Sequence, residues 1–385
     1  QIAPVDPLHG VQVMDFEEGV RAGLIRFIGE DTLDRFVAAV KAQAMPVATD
    51  APLKVVYTPL NGTGLECVQR ILTEIGVTDV HVVEEQRLPD GHFPTCPYPN
   101  PEIREALTLG LRDCEKYQPD LLLATDPDCD RVGIAVKNAQ GDYVLLSGNE
   151  VGLLLLDYLC AQKQKHGKMP KDPVLVKTIV TVDLAERIAE HYGVETRNVL
   201  TGFKYIGEQI GLLEKAGEER RYLFGFEESY GYLTGTYVRD KDGVDGAVMI
   251  CEMFSFYAAR GIRLTDQLAK LYERYGYCRN TLHSYQFEGS AGFAKMQGIM
   301  AAFRQGISTF GGKAVEKVLD YSAGLDGLPK ADVLKFYLDG GTTLVVRPSG
   351  TEPKLKLYLS VTAKDETEAE QTEQAVVNDA EVYFR

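Results

Sequence analysis

The sequence lacks three features, each of which would point to a different class of protein. It has no apolar run of membrane-spanning length, since the stretch Val151–Leu159 is interrupted by Gly152 and Asp157. Its seven cysteines include no Cys-x-x-Cys pair and no zinc-ligand spacing, which indicates reduced thiols as in the cytoplasm. Basic residues are in deficit, with 41 Lys and Arg against 56 Asp and Glu and a net charge of −15. We therefore expect a cytoplasmic protein that binds neither nucleic acid nor an anionic membrane.

The 385 residues, 45% of them hydrophobic, are enough for two to four domains with a core each. Apolar runs predict strands at Lys54–Tyr57, Val80–Val83, Leu121–Ala124, Val174–Lys177, Thr196–Leu200 and Tyr222–Phe226. Helical periodicity predicts helices at Leu65–Ile75, Glu102–Lys116, Gly148–Gln162, Asp183–Tyr192 and Ala247–Arg260. This alternation is typical of an α/β fold with parallel strands and crossover helices.

Two α/β units follow one another, and each has a strand whose C-terminal loop carries acidic residues. This similarity suggests a structural duplication. After about Tyr277 the pattern changes to alternating stretches, glycine-rich loops and two strong strands, Thr342–Val346 and Lys354–Val361. That change predicts a smaller α+β domain at the end of the chain.

The most informative stretch is the acidic loop Asp126-Pro127-Asp128-Cys129-Asp130-Arg131, which follows an apolar strand. Carboxylates at every second position of an extended loop project to the same side of the backbone. Without a cation they would repel one another, whereas Mg²⁺ would use them as hard oxygen ligands. We therefore predict a Mg²⁺ site formed by Asp126, Asp128 and Asp130.

Two other interpretations of the acidic loop were weighed. A calcium-binding EF-hand loop needs glycine at its sixth position and glutamate at its twelfth, which are Arg131 and Lys137 here, so that interpretation fails. An aspartyl-phosphate phosphatase with Asp126 as the nucleophile at a strand end remains the alternative.

Two further loops have recognisable patterns. One has the groups of an anion-binding site, and the other has the glycines of a strand-to-helix turn. Arg347-Pro348-Ser349-Gly350-Thr351 combines a guanidinium fork, hydroxyl donors and a flexible glycine, which suits a phosphate dianion. It is not a Walker loop, because no G-x-x-x-x-G-K-[ST] motif occurs in the chain. The turn with Gly62 and Gly64 lacks the third glycine of a dinucleotide site, since Cys67 stands there, and we expect it to face the active site instead.

The loop after the predicted strand Tyr222–Phe226 places Glu227 and Ser229 so that both point the same way, as acceptors for sugar hydroxyls. A serine-hydrolase elbow is excluded there, because Glu227 occupies the first glycine position of G-x-S-x-G. Lys177 and Lys204 each follow or interrupt an apolar stretch, where a lysine could serve a phosphate or a proton.

Taken together, these motifs resemble those of the α-D-phosphohexomutase family, in its bacterial phosphoglucomutase and phosphomannomutase branch. The matching stretches are Tyr57–Gly64, Asp126–Arg131, Lys177–Val182, Thr201–Glu208, Gly225–Tyr232 and Arg347–Lys356, in the family's order. The resemblance implies repeated α/β domains with mixed sheets and a smaller C-terminal α+β domain. In the whole enzyme, four domains would surround a deep cleft and each would supply one loop.

The resemblance also implies roles for individual residues. The three aspartates would bind Mg²⁺, with Arg131 and Lys177 as catalytic groups beside the reacting phosphate. The substrate-binding residues would be Lys204, Tyr205, Glu227, Ser229, Arg347, Ser349, Gly350 and Thr351. The implied reaction moves a phosphoryl group between C1 and C6 of a hexose. Glucose is the first candidate for this hexose, ahead of mannose. The reaction passes through a phosphoserine and glucose 1,6-bisphosphate, which serves as intermediate and activator.

One departure from the family pattern concerns the nucleophile. The family's first domain carries a phosphorylated serine in a Thr-Ala-Ser-His-Asn-Pro-like loop, and the 385 residues contain no such segment. We expect residues 1–25 to be the tail of that first domain and the chain alone to be inactive. A non-catalytic phosphosugar-binding protein that keeps the loops without the nucleophile remains open as an alternative. The remaining domains are expected at residues 26–146 with the metal loop, 147–276 with the sugar loop and 277–385 with the phosphate loop. The sequence does not indicate the oligomeric state.

Overall fold

The structure is a computed structural model that describes residues 6, 10, 11, 13–45, 52–287, 289–325, 327–349 and 354–384. The chain divides into two compact units, Gln1–Ala39 and Val40–Arg385. The first unit contains helix α1 (Phe16–Arg21) and most of helix α2 (Glu30–Lys41).

The second unit contains the other helices and all the strands of the described residues. The helices are α3 (Leu65–Glu74), α4 (Thr108–Tyr117), α5 (Gly148–Lys165), α6 (Leu184–His191), α7 (Phe203–Lys215), α8 (Gly243–Ala258), α9 (Leu264–Tyr275), α10 (Gly289–Arg304) and α11 (Glu366–Glu381). The strands are β1 (Lys54–Thr58), β2 (Asp79–Val82), β3 (Leu121–Thr125), β4 (Val132–Lys137), β5 (Tyr143–Leu146), β6 (Val174–Thr178), β7 (Glu195–Val199), β8 (Tyr222–Glu227), β9 (Gly231–Leu233), β10 (Tyr277–Gln286), β11 (Thr309–Phe310), β12 (Lys313–Asp320), β13 (Leu334–Leu338), β14 (Thr342–Pro348) and β15 (Lys354–Ala363). Within the described part of the chain, no helix is both long and apolar enough to cross a membrane.

The first sheet has the strand order β2-β1-β3-β4-β5. Strand β1 runs parallel to β2 and β3, whereas β4 and β5 are added antiparallel at one side. Every residue of β3 is buried, as expected for a central strand that is covered on both faces. The helices α3 and α4 connect the parallel strands, so the carboxyl ends of β1 and β3 meet at one edge of the sheet.

The second sheet repeats this plan with the order β7-β6-β8-β9. Strand β6 runs parallel to β7 and β8, and β9 returns antiparallel beside β8. The two sheets are therefore built alike, which confirms the repeated α/β architecture with mixed sheets. In both sheets, a tight loop joins the last parallel strand to its antiparallel neighbour.

Helix α5 begins the second α/β unit with a capping box. The Ser147 side chain accepts a hydrogen bond from the Glu150 N–H, and the Glu150 carboxylate accepts one from the Ser147 N–H at 2.7 Å. Its apolar run Val151–Leu159 is buried along its whole length. The predicted helix is confirmed, and the run that sequence analysis considered for a membrane belongs to the interior of the unit.

The third sheet is antiparallel throughout, with the order β10-β15-β14-β13-β12-β11. Its inner face packs with α10 and α11 around a core that includes Met300, Phe303, Phe336 and Val376. This is the predicted C-terminal α+β domain. Strands β14 and β15 are paired so that Arg347 lies opposite Lys356, which places two cations at one end of the hairpin.

One predicted helix differs from the structure. The helix expected at Glu102–Lys116 is a short 3₁₀ turn at Arg104–Leu107 followed by α4. The Asn100 side chain accepts a hydrogen bond from the Glu102 N–H at 3.0 Å, so the chain makes a side-chain-capped turn there.

Candidate active site

The metal loop, Asp126–Arg131, joins β3 to β4. Its turn is held by the Asp126 carboxylate, whose Oδ1 accepts hydrogen bonds from the backbone N–H groups of Asp130 (3.0 Å) and Arg131 (2.9 Å). Cys129 takes the left-handed backbone conformation with φ of 58°. The turn brings one oxygen from each of Asp126, Asp128 and Asp130 within 4.8 Å of one another. The structure therefore gathers the three carboxylates that the sequence assigns to Mg²⁺.

Electrostatics favour a cation at this cluster. Burial raises the pKa of the Asp126 carboxyl to about 7, and repulsion from Asp130 and Asp128 adds to the shift, against the opposing backbone N–H of Arg131. Oδ1 of Asp130 is buried and accepts no hydrogen bond within the described part of the chain. Three crowded hard oxygens, one of them without a donor, fit a divalent cation such as Mg²⁺.

The Gly62–Gly64 turn supports the metal loop from the neighbouring strand end. The Thr63 N–H and hydroxyl both donate to the carbonyl oxygen of Pro127, at 2.8 and 3.1 Å. A Cβ at position 62 would lie 2.3 Å from the Pro127 Cα, so only glycine allows this approach. The turn thus lies against the candidate active site, and its glycines allow close backbone packing.

Arg131 is surrounded by carboxylates. Its Nε lies 3.5 Å from Asp126 Oδ2 and 3.7 Å from Asp130 Oδ1, and its NH1 lies 3.6 Å from Glu102 Oε1. Burial raises the pKa of Glu102, while the positive charges of Arg131 and Lys356 oppose that shift. Glu102 therefore interacts with one cation of the metal loop and one cation of the β14–β15 hairpin.

The sugar loop, Glu227–Tyr230, joins β8 to β9. Glu227 is buried, and its Oε1 accepts a hydrogen bond from the Gly202 N–H at 2.9 Å. Burial and then repulsion from Glu228 raise the pKa of Glu227 to about 7, against the attraction of Lys241, the Gly202 N–H and Arg131. These interactions bring the sugar loop, the loop before α7 and the metal loop into one site. Ser229 lies half-buried in the turn of the sugar loop.

Lys204 and Tyr205 lie in the first turn of α7, directly after Gly202. Lys204 is exposed, and its Nζ lies 4.9 Å from the centre of the Tyr205 ring. Because Gly202 bonds to Glu227, this lysine and tyrosine are attached to the sugar loop through one backbone contact. Among the described residues, the one contact of the Lys204 ammonium is the ring face of Tyr205, which leaves the lysine able to reach an anionic group.

The phosphate loop follows β14. Arg347 is half-buried near the end of that strand and interacts electrostatically with Glu228 of the sugar loop. Ser349 donates its backbone N–H to the Lys354 carbonyl at 2.7 Å and thereby closes the hairpin. The predicted substrate ligands Gly350 and Thr351 lie outside the described residues.

Lys177 has a different environment from the one that its predicted catalytic role requires. Its side chain is 0% exposed, and its Nζ donates to Asp183 Oδ1 at 2.8 Å and to the Thr181 carbonyl at 3.2 Å. It also lies 3.2 Å from Glu186. The ammonium is directed at these partners in the interior. This placement favours a structural role for Lys177, and its catalytic role stays a prediction.

Two charged residues of the site were not identified from the sequence. Lys241 Nζ lies 2.5 Å from Asp130 Oδ2, and Glu102 lies beside Arg131. The sequence pattern that could have identified Lys241 as a site residue is the run Asp240-Lys241-Asp242-Gly243, at the start of the apolar helix α8. The corresponding signal for Glu102 is weaker, since it is one acidic residue at the end of a proline-rich loop.

Three family models match the chain over most of its length. They are described as phosphoglucomutase/phosphomannomutase alpha/beta/alpha domain II, alpha/beta/alpha domain III and C-terminal domain. They match residues 34–141, 147–275 and 288–378, in that order. Each matched region contains one of the loops described above.

Curated and solved proteins give the same relationship. A phosphoglucomutase of Staphylococcus saprophyticus is 36% identical over 368 residues, which cover 92% of this chain and 65% of that protein. The chain thus spans about two thirds of the length of that relative. A putative phosphomannomutase from Thermus thermophilus has the same fold with a TM-score of 0.65 and 18% identity, covering 91% of this chain and 65% of the other. An Aspergillus fumigatus N-acetylphosphoglucosamine mutase, in complex with GlcNAc-6P and magnesium, gives a TM-score of 0.53 at 14% identity, covering 91% and 65%.

Proposed function

The chain belongs to the phosphoglucomutase/phosphomannomutase family, and from that premise we propose that it carries the substrate and metal loops of a phosphohexomutase. The proposed reaction interconverts hexose 1-phosphate and hexose 6-phosphate, with glucose as the first candidate sugar. One observation carries the proposal: the metal loop brings one oxygen from each of Asp126, Asp128 and Asp130 within 4.8 Å of one another, and Nε of Arg131 lies 3.5 Å from Asp126 Oδ2. A cation bound to these carboxylates would, with the guanidinium beside them, form a positive centre for the phosphate of a phosphorylated sugar.

In this proposal Asp126, Asp128 and Asp130 hold Mg²⁺, which would neutralise negative charge on the reacting phosphate. Magnesium in the complex of the Aspergillus mutase supports this assignment for a relative of the same fold. Arg131 would bind the same phosphate through its guanidinium, once the phosphate replaces the carboxylates that now surround that group. Protein groups in phosphoryl transfer mainly position the reactants and offset developing charge.

The sugar and the second phosphate would be bound by the other loops. Glu227 and Ser229 would accept hydrogen bonds from adjacent ring hydroxyls, and Lys204 with Tyr205 would orient the ring from the start of α7. Arg347, Ser349, Gly350 and Thr351 would hold the phosphate that is not transferred. The GlcNAc-6P in the Aspergillus complex supports a phosphosugar as the ligand class.

The proposed cycle needs a group that holds the phosphoryl group between its two steps. A phosphoserine would transfer its phosphoryl group to the free hydroxyl of the sugar phosphate, and the sugar 1,6-bisphosphate would reorient. The serine oxygen would then take the other phosphoryl group. Because no Thr-Ala-Ser-His-Asn-Pro-like segment occurs in these 385 residues, we propose that the serine lies outside them and that they bind phosphosugars without turnover.

The test combines binding and turnover with purified residues 1–385. Calorimetry should detect Mg²⁺, and Asp128→Asn should weaken that binding by about tenfold or more, because a full ligand charge is lost. Asp142→Asn, an exposed change of the same charge in the β4–β5 turn, should change it by less than about twofold. Unchanged Mg²⁺ affinity in Asp128→Asn would contradict the metal assignment.

The turnover arm is a coupled assay of glucose 1-phosphate to glucose 6-phosphate with glucose 1,6-bisphosphate as activator. We expect binding of glucose 6-phosphate without turnover. Steady turnover that Asp128→Asn abolishes would show that the nucleophile lies within these residues. Acid-labile phosphate on Asp126 would instead support the aspartyl-phosphate phosphatase.

A further inference from the structure

Lys241 connects two loops to which the proposed function gives different tasks. Its Nζ lies 2.5 Å from Oδ2 of Asp130 in the metal loop. The same ammonium attracts the buried carboxylate of Glu227 in the sugar loop. Its side chain is 14% exposed, so the charge is held inside the site and is only weakly screened by water.

The backbone around Lys241 is fixed to the metal loop and to β9, the strand that follows the sugar loop. The Asp242 N–H donates to the Tyr232 carbonyl at 3.1 Å, and the Gly243 N–H donates to the Cys129 carbonyl at 2.9 Å. The first bond reaches β9 and the second reaches the metal loop. The segment that carries Lys241 is therefore held to β9 and to the metal loop at consecutive residues.

The side chain of Lys241 also packs closely against Gly231, the first residue of β9. A Cβ at Gly231 would lie 2.5 Å from the Lys241 Cδ and 3.2 Å from its Cβ. The absence of a side chain at the first residue of β9 thus lets the aliphatic part of Lys241 cross that strand towards Asp130. This close packing indicates that the side chain of Lys241 is constrained to point towards Asp130.

The charges around Lys241 define what it does. Asp126, Asp128, Asp130 and Glu227 bring negative charge to a site that must admit a phosphate dianion. Lys241 offsets part of that charge, but it also occupies Oδ2 of Asp130 and repels a divalent cation at the same loop. Removing its charge should therefore have opposite effects on the two ligands.

We propose that Lys241 is a positioning residue that holds Oδ2 of Asp130 and offsets the charge of the carboxylates, which favours binding of a phosphorylated sugar and opposes binding of the cation. The inference rests on the proposed function, since it concerns the metal and the phosphosugar of that same site. It predicts a trade-off. Lys241 lowers the affinity for Mg²⁺ and raises the affinity for the phosphate.

The experiment measures the two ligands separately on residues 1–385. Mg²⁺ is titrated by calorimetry without sugar, and glucose 6-phosphate is titrated in EDTA without metal. In Lys241→Met, we expect Mg²⁺ affinity to rise about three- to tenfold and glucose 6-phosphate affinity to fall by a similar factor, as one unit charge at several ångströms implies. Lys241→Arg keeps the charge and should restore both affinities to within about threefold of the original. Lys270→Met removes an exposed charge on α9 and should change neither affinity.

The outcomes separate a positioning role from a structural one. Loss of affinity for both ligands in Lys241→Met would overturn the proposal, because misfolding weakens both and does not produce opposite signs. Unchanged affinities would overturn it as well. If the original chain binds no glucose 6-phosphate, the proposed function fails, and the Lys241 inference is then judged on Mg²⁺ alone. An unchanged or reduced Mg²⁺ affinity in Lys241→Met would refute it.

Discussion

The carboxylate of Asp183 joins the second α/β sheet to the C-terminal sheet, and its removal gives the sharpest stability prediction. Oδ1 of Asp183 accepts hydrogen bonds from Lys177 on β6 and from Lys335 on β13, both at 2.8 Å. Oδ2 accepts one from the Thr343 hydroxyl on β14 at 3.0 Å. Asp183 directly precedes α6 but does not cap it, so its side chain is devoted to these contacts.

We predict that Asp183→Asn destabilises the protein by about 3 kcal/mol or more. The side chains of Lys177 and Lys335 are only 0% and 3% exposed, so the variant would leave two buried ammonium groups without their shared anion. Removing one member of a buried ion pair typically costs about 3–5 kcal/mol. Asp183 itself is 23% exposed, which places the expected value towards the lower end.

The assay is urea-induced unfolding followed by circular dichroism and by tyrosine fluorescence, which is usable because the chain has 20 tyrosines and no tryptophan. Glu186→Gln is the matched control, since Glu186 also contacts Lys177 but is 42% exposed. We expect it to cost less than about 1 kcal/mol. Combining Asp183→Asn with Lys335→Met should cost less than the sum of the single changes by about 0.5–3 kcal/mol.

The stability difference should also depend on pH. Burial alone would raise the pKa of Asp183, but attraction to Lys177 and Lys335 holds that pKa below its ordinary range. A carboxyl with a depressed folded pKa contributes its stability above the unfolded pKa, about 3.9, and loses it as the pH falls below that value. The gap between the original chain and Asp183→Asn should thus be full at pH 7 and shrink below about pH 4. A loss under about 1 kcal/mol at pH 7, or a gap that does not shrink in acid, would refute this reasoning.

Two further predictions concern the loops. Arg347→Ala should weaken glucose 6-phosphate binding by about 2–4 kcal/mol, because a charge-assisted pair is lost. The binding of free glucose should be unchanged. If calorimetry showed an equal loss for both sugars, the loop would be acting on the fold. Gly62→Ala should reduce Mg²⁺ affinity and lower the melting temperature, since its Cβ would meet the Pro127 backbone at 2.3 Å. Gly211→Ala in α7, where a Cβ has open space, should instead stabilise the helix by up to about 1 kcal/mol, and similar behaviour of the two variants would contradict the close-packing argument.

The strands at the centre of each sheet were predictable, and their antiparallel neighbours were not. The residues of β3 form a continuous apolar run, because a strand buried on both faces needs no polar side, and that signal is plain in sequence. Strand β9 has three residues, too few for any periodicity. Strand β4 is obscured by Gly133, and the structure explains this glycine, since a Cβ there would lie 2.9 Å from the Pro101 side chain.

The same distinction applies to the candidate site. Some of its features are predictable from local sequence, and others depend on contacts between distant segments. The convergence of Asp126, Asp128 and Asp130 follows from spacing within one loop, which sequence contains directly. Lys241 and Asp130 belong to different α/β units and meet only when these pack, so no local sequence pattern predicts their ion pair. The environment of Lys177 could not be predicted from its local sequence for a related reason. A strand-end lysine can point to the ligand or to the interior, and its partner Asp183 decides which.

The antiparallel strand that follows each functional loop restricts how the loops can evolve. The metal loop is closed by the pair Thr125↔Val132, and the sugar loop by the pair Glu227↔Gly231. Turn type and loop length set the register of a hairpin, so an inserted residue that slips the returning strand by one position turns every side chain to the opposite face. Open strand-to-helix loops tolerate insertions and deletions, but these two do not have that freedom. Divergence towards other sugars is therefore expected to proceed by substitutions within loops of fixed length.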